Sequence, residues 1–252
     1  MKVLIGVCAR QHPQVFRLFL TSLFRLNLDG LEVRYHFIFH NWEDGKKLLA
    51  KAGRLADVEV QSYQSEHAYV TDAVTHRWTT ALVRDLTAMR NSILRRAVEG
   101  GFDAAFLVDS DLLLQPPTLR HLSESGRDVI AEVFWTRWQP LEPELPNAWD
   151  YDAYRLSQDS LRQWRRPGQY RVGGAGACTL IATDAVRRGL SYSPVPFVSW
   201  FGEDRALQLR AAVLDIPIYL DTHYPACHIY RLEDLPRARA WYSALDPGAS
   251  PP

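Results

Sequence analysis

The chain opens on an apolar run, Val3 to Cys8, then a polar stretch, Ala9-Arg10-Gln11-His12-Pro13, then Phe16, Phe19, Leu20, Leu23 and Phe24 at helical spacing. That succession predicts a buried strand, a loop, and a helix started by Pro13 and stopped by Asp29-Gly30. Glu32 to His40 alternates as a second strand ending in Asn41, a polar helix opens at Asp44-Gly45, and Val58 to Val60 is a short third strand. From Gln61 to Thr80 the periodicity fades. Tyr63, His67, Tyr69, His76 and Trp78 mark a polar, aromatic stretch that reads as a long loop. A helical face returns from about Ala81 with Leu82, Leu86, Met89, Ile93, Leu94 and Ala97, and Gly100-Gly101 closes it. Ala104 to Val108 is a short continuous apolar run, the mark of a strand buried on both faces.

The second half alternates less cleanly. Pro116-Pro117-Thr118 starts a helix, and Asp128 to Phe134 is a strand. Residues 135–169, with Trp135, Trp138, Trp149, Tyr151, Tyr154 and Trp164, read as an excursion over a site or as a plain surface insertion. Gly173-Gly174-Ala175-Gly176 precedes a strand from Cys178 to Ala182, Thr183 caps a brief helix, and Gly189 ends it. Glu203-Asp204, after Trp200-Phe201-Gly202, opens another helix. Ile216 to Asp221 is a strand, and His223 to His228 follows it. Strands and helices in alternation predict an α/β fold with a mainly parallel central sheet.

Composition narrows the classes. The 252 residues suffice for one α/β domain with a sizeable core. Lys+Arg and Asp+Glu both number 29, so no net field draws nucleic acid or a membrane surface. No apolar stretch approaches the roughly 20 residues that span a bilayer, and Met1 to Val7 is too short for a signal segment. Cys8, Cys178 and Cys227 are odd in number and lack CxxC spacing, which fits a reducing compartment. A soluble, cytoplasmic protein with a frayed tail from Pro247 to Pro252 is expected. The 8 tryptophans offer faces for stacking on sugars or bases, or simply large core side chains.

The candidate chemistry sits where elements end. Asp109-Ser110-Asp111 closes the buried strand, and carboxylates there can hold a hard divalent cation shared with substrate phosphates; ordinary turn chemistry is the other reading. Arg90-Asn91 lies mid-helix, either as a solvated pair or as a planar fork for a diphosphate. Gly173-Gly174 answers either tight packing or close approach of backbone to a ligand. Glu203 and Asp204 suit a first helical turn, and one of them can serve as a general base. His228, returning from a late strand, is either a satisfied polar residue or a further metal ligand. Neither GxGxxG nor a Walker-type phosphate loop is present.

In this order and spacing the chain resembles the GT-A glycosyltransferases across most of its length. The matching parts are the N-terminal βαβ half, Asp109-Ser110-Asp111, Gly173-Gly174, Glu203-Asp204 before a helix, and His228. Glu203-Asp204 with Arg210 and a late His resembles the bacterial family 2 enzymes, which invert. Arg90-Asn91 and the Gly-Gly loop resemble the fungal Anp-type mannosyltransferases, which retain. The resemblance implies a single GT-A domain, with residues 1–111 as a Rossmann-like nucleotide-sugar-binding half and 112–252 as the acceptor-binding and catalytic half, carrying an insertion near 135–170. It implies a metal-dependent hexosyltransferase, inverting in preference to retaining, that moves a sugar from a UDP- or GDP-linked donor to a hydroxyl of a glycan or small-molecule acceptor. Mn²⁺ or Mg²⁺ would be held by Asp109, Asp111 and His228. Ala9, Arg10 and Asn41 would lie near the base, and Arg90, Asp109, Ser110, Gly173 and Gly174 around the donor. Asp204 would be the catalytic base, with Glu203 as runner-up. Two other classes compete. A sugar nucleotidyltransferase would carry a Gly-rich basic loop after the first strand, and Cys8-Ala9-Arg10-Gln11 has no glycine. A non-catalytic carbohydrate-binding protein would explain the tryptophans but not Asp109, Asp111 and His228 together.

Overall fold

The computed structural model describes residues 1–53, 57–67, 70–71, 76–139, 141–151, 154–196, 198 and 202–245; Tyr69, Trp200, Phe201 and the 247–252 tail, all singled out above, lie outside them. In chain order the first half runs β1 (Lys2–Ala9), α1 (Pro13–Leu23), β2 (Glu32–His40), α2 (Glu43–Lys51), β3 (Val58–Tyr63), the two-residue strands β4 (Val70–Thr71) and β5 (His76–Arg77), α3 (Thr80–Glu99), β6 (Ala104–Leu107) and β7 (Leu112–Leu113). Then come α4 (Thr118–Glu124), β8 (Val129–Thr136), β9 (Leu145–Pro146), β10 (Ala148–Trp149), α5 (Gln158–Gln163), β11 (Gln169–Val172), β12 (Gly174–Ala175), β13 (Thr179–Ala182), α6 (Thr183–Arg187), α7 (Glu203–Val213), β14 (Ile218–His228) and α8 (Leu235–Leu245).

The main sheet has the order β11-β14-β8-β13-β6-β1-β2-β3. β3, β2, β1 and β6 are parallel. β13 runs antiparallel between β6 and β8. β14 is parallel to β8, and β11 is antiparallel to β14. The sheet is therefore mixed, with a parallel half that matches the expected alternation. Both faces are covered. Val3, Ile5, Val7, Phe106 and Ile130 pack towards Phe16, Phe19 and Leu119 of α1 and α4. Leu4, Ala105, Leu107 and Ile181 pack towards Met89, Ile93, Ala185 and Leu207 of α3, α6 and α7. This is why Ala104–Leu107 reads as unbroken apolar sequence: neither face meets water.

Local chemistry sets the ends of the helices. His12 caps α1 by accepting from the Gln14 N–H at 3.3 Å, with Pro13 in the first turn. Thr79 caps α3 by accepting from the Leu82 N–H at 3.2 Å. α3 comes close to β1 because Gly6 has no side chain; a Cβ there would lie 2.3 Å from Cγ2 of Ile93.

Four expectations change. The 61–80 stretch is not one loop, because β3 follows β2 as far as the His40–Tyr63 pairing and β4 pairs with β5. Thr183 does not cap α6; its hydroxyl donates to the carbonyls of Phe102 and Asp103 at 2.8 and 3.1 Å. The 135–169 excursion is stitched to the fold, β9 pairing with β8 and β10 with β12. Finally, β14 does not stop at Asp221. It continues to His228 through an irregularity between Asp221 and Ala226, where Pro225 has no N–H to give a ladder.

Candidate active site

The register at the end of β14 builds one side of the site. His228 pairs with Leu112 of β7, and the Ile229 N–H donates to the Asp111 carbonyl at 2.9 Å. A late histidine is thereby set beside the Asp-Ser-Asp turn, with its Nε2 3.6 Å from Oδ2 of Asp111. The other ring nitrogen, Nδ1, lies 2.7 Å from the Thr136 hydroxyl at the end of β8. If Nδ1 carries the proton and donates it to Thr136, Nε2 is left as a lone-pair donor facing Asp111. Gln11, in the loop after β1, donates to the same Asp111 oxygen at 3.3 Å.

The other side is electrostatic. Arg90, mid-α3 and 3% exposed, reaches across to two elements. It donates to Oδ1 of Asp204 at 2.6 Å and to Oδ1 of Asp109 at 3.0 Å, and its Nη1 stands 2.8 Å from Oε1 of Glu203. Its guanidinium also lies 5.3 Å from the centre of the Tyr192 ring. A buried arginine persists only when its charge is met. Glu203 and Asp204 are brought to it by Gly202, whose φ of +125° turns the chain sharply into α7. Both acids lie in the first helical turn, yet both point at Arg90. Burial raises the Asp204 carboxyl to about 7, against the pull of Arg90, with Glu203 and Asp109 adding to the rise. Burial likewise raises Glu203 and Asp109, again opposed by Arg90.

These residues open on one cavity of about 800 Å³. Of the sequence candidates, Ala9, Arg10, Arg90, Asp109, Ser110, Asp111, Glu203, Asp204 and His228 line it. Asn41, Gly173 and Gly174 do not. Asn41, at φ 47°, instead braces a loop, donating to the Ser65 carbonyl at 2.6 Å and accepting from its N–H at 3.0 Å. Gly173 and Gly174 answer packing: a Cβ would sit 2.4 Å from the Asp150 carbonyl oxygen in one case and 2.5 Å from the Trp149 indole in the other. The glycine at the site is Gly176, where a Cβ would lie 3.2 Å from Oδ2 of Asp204. Arg90, expected at a diphosphate, is engaged by three carboxylates. Asp109, Asp111 and His228 do not converge closely. Among the described residues the group whose ligand atoms all lie within 4.8 Å of one another is His121, Asp221 and His223.

Gln11, Thr136 and Asn147 carry no sequence pattern that marks them, because each acts through contacts made only by the tertiary fold. Asn147 is the most connected: it accepts from the Phe134 N–H and donates to the carbonyls of Glu132 and Ala177. Trp78, Trp138, Trp149, Tyr154 and Tyr230 also line the cavity, so several of the aromatic residues noticed in sequence do gather there.

The mixed α/β sheet, parallel in its N-terminal half, is consistent with a GT-A glycosyltransferase-like fold. Among solved structures, that of GalNAc-T7 with UDP, GalNAc and Mn²⁺ matches 92% of this chain and 44% of its own chain, with a TM-score of 0.54 and 14% identity. The chain thus spans under half the length of that protein. No family profile matches the sequence, and no curated protein matches it. Among the described residues no helix is long and apolar enough to cross a membrane.

Proposed function

We propose that the chain is a divalent-metal-dependent glycosyltransferase that takes a nucleoside-diphosphate sugar into the 800 Å³ cavity and passes the sugar to an acceptor hydroxyl. The observation that carries this reading is the gathering of Asp109, Asp111, His228, Arg90, Glu203 and Asp204 on one cavity of a GT-A-like fold.

The donor set suits a cation. Among the described residues, four carboxylates and two arginines, Arg10 and Arg90, line the cavity, and a diphosphate would add further negative charge. Asp111 and His228 would ligate Mn²⁺ or Mg²⁺, with Asp109 acting through a bound water, and a mixed carboxylate–imidazole pair favours Mn²⁺. When bound, the ion supplies positive charge against the departing diphosphate. Thr136 fixes the His228 ring, and Gln11 fixes the Asp111 carboxylate. The aromatic wall of Trp78, Trp138 and Tyr230 gives stacking faces to base or sugar.

Asp204 is the base in this reading. Its Oδ1 is bound to Arg90, while Oδ2 faces Gly176 at the cavity wall. A carboxyl raised to about 7 is matched to accepting a proton near neutrality. The acceptor oxygen bonds to the anomeric carbon as the bond to the diphosphate oxygen breaks, its proton passing to Asp204; the product is inverted. Glu203, more buried, holds Arg90 in place. Incubation with a panel of UDP- and GDP-sugars and Mn²⁺ tests the proposal: sugar release or transfer is expected for one donor and its loss in Asp111→Ala. Failure to bind or turn over any donor would overturn it, and a retained product anomer would remove Asp204 as the base.

A further inference from the structure

Away from that cavity, a second polar cluster is buried between α4 and the sheet. Asp221 and Glu132 are neighbours on the parallel pair β14 and β8, both 0% exposed. Asp221 accepts from both flanking histidines: Oδ2 is 2.9 Å from Nε2 of His121 on α4, and Oδ1 is 3.0 Å from Nδ1 of His223. At the irregularity after Asp221 the His223 N–H donates to Oδ1 of Asp221 at 2.9 Å, which folds the chain back on that carboxylate, and the two imidazole centres lie 4.7 Å apart. Glu132 is held by its Oε1, which accepts from the N–H groups of Val133 and Tyr224 at 3.3 Å each. Its Oε2 has no hydrogen-bond partner among the described residues. No Lys or Arg pairs with either acid among the described residues. Two carboxylates can share such a pocket only through a proton or a cation.

We infer that His121, Asp221 and His223 form a second metal site, for a Zn²⁺-type ion, with the neighbouring Glu132 carboxylate adding negative charge beside it. The ligand atoms of the three already lie within 4.8 Å of one another. A tetrahedral ion with bonds of about 2.0–2.1 Å needs them roughly 3.3 Å apart, so small side-chain shifts suffice. Two imidazoles and one carboxylate, with solvent in the fourth position, suit Zn²⁺ better than a hard cation, and the ion's charge offsets that of the two buried acids. The half-exposed His121 and His223 rings give an entry path. None of the four residues lines the catalytic cavity, so the site stands independently of the proposed transferase activity. Its place, pinning α4 to β8 and β14, makes the role structural.

Metal-free protein titrated with Zn²⁺ by calorimetry, with elemental analysis of the product, tests it. The wild type and Asp111→Ala are each expected to retain one tightly bound Zn²⁺ at this cluster. His121→Ala/His223→Ala should lose its affinity at least a hundredfold; should that variant not fold, His223→Ala alone, checked by circular dichroism, should lose at least tenfold. Absence of stoichiometric uptake by the wild type, equal uptake by the histidine variants, or loss in Asp111→Ala alone would overturn the inference and leave a hydrogen-bonded carboxyl pair.

Discussion

At the scale of single residues, Glu203 and Asp204 share one guanidinium but differ in access, their side chains being 9% and 24% exposed. That difference makes Asp204 the one able to meet an acceptor. Asp204→Asn is expected to bind nucleotide normally while kcat falls about a hundredfold to ten-thousandfold, the scale of a general base; Glu203→Gln should fall less. In steady-state profiles the wild-type rate should rise through about pH 7 as Asp204 ionises, and the variant's should be flat. Stability runs the other way. A carboxyl raised from 3.8 to about 7 binds its proton more tightly folded than unfolded, so its contribution is full below 3.8 and lost as pH passes about 7. Removing the charge should therefore favour the folded state increasingly from pH 5 to 8, and Tm of Asp204→Asn relative to metal-free wild type measures it. A pH-independent difference would contradict the raised carboxyl. Arg90→Ala leaves Asp109, Glu203 and Asp204 facing one another without a cation and should cost about 3–5 kcal/mol in chemical denaturation; a loss below about 1 kcal/mol would mean the network contributes little.

At the scale of elements, α3 is the part that must be placed correctly, because it delivers Arg90 from one face of the sheet. Gly6 permits its approach and Ile93 fills the contact. Gly6→Ala is expected to cost about 1–3 kcal/mol by overpacking, and pairing it with Ile93→Ala, which removes the Cγ2 it would meet, should cost less than the two single losses added; denaturant midpoints of the single and double variants decide it. The β8–β14 pair acts similarly on His228. Thr136→Val keeps the shape but removes the partner of Nδ1, so Mn²⁺ affinity should fall about 10–100-fold with the fold intact. These elements also show what sequence can carry. The α/β alternation and the buried β6 were readable because burial on two faces leaves an unbroken apolar run. Asp109, Asp111, Glu203 and Asp204 stood out because they end or begin elements. Thr136 and Gln11 did not, since a single contact across 92 or 100 residues leaves no periodic trace. Gly173 and Gly174 could be read for either packing or a ligand, and the Trp149 indole and the Asp150 backbone supply the packing reason. The strand to His228 was read as ending at Asp221 because Pro225 interrupts the pattern without ending the pairing.

At the scale of the molecule, one continuous sheet and the helices packed on it bring residue 111 beside residue 228 and residue 90 beside residue 204, and a cavity of about 800 Å³ opens where they meet. The excess of carboxylates there makes the account's central claim electrostatic: a nucleoside diphosphate enters only with a divalent cation. Calorimetric titration of UDP and GDP into metal-free protein, with and without Mn²⁺, tests this directly. The account predicts that one of the two binds the wild type only when Mn²⁺ is present, and that Asp111→Ala, folded, binds neither under any condition. Equal affinity without the metal, or an Asp111→Ala protein that binds as the wild type does, would contradict it.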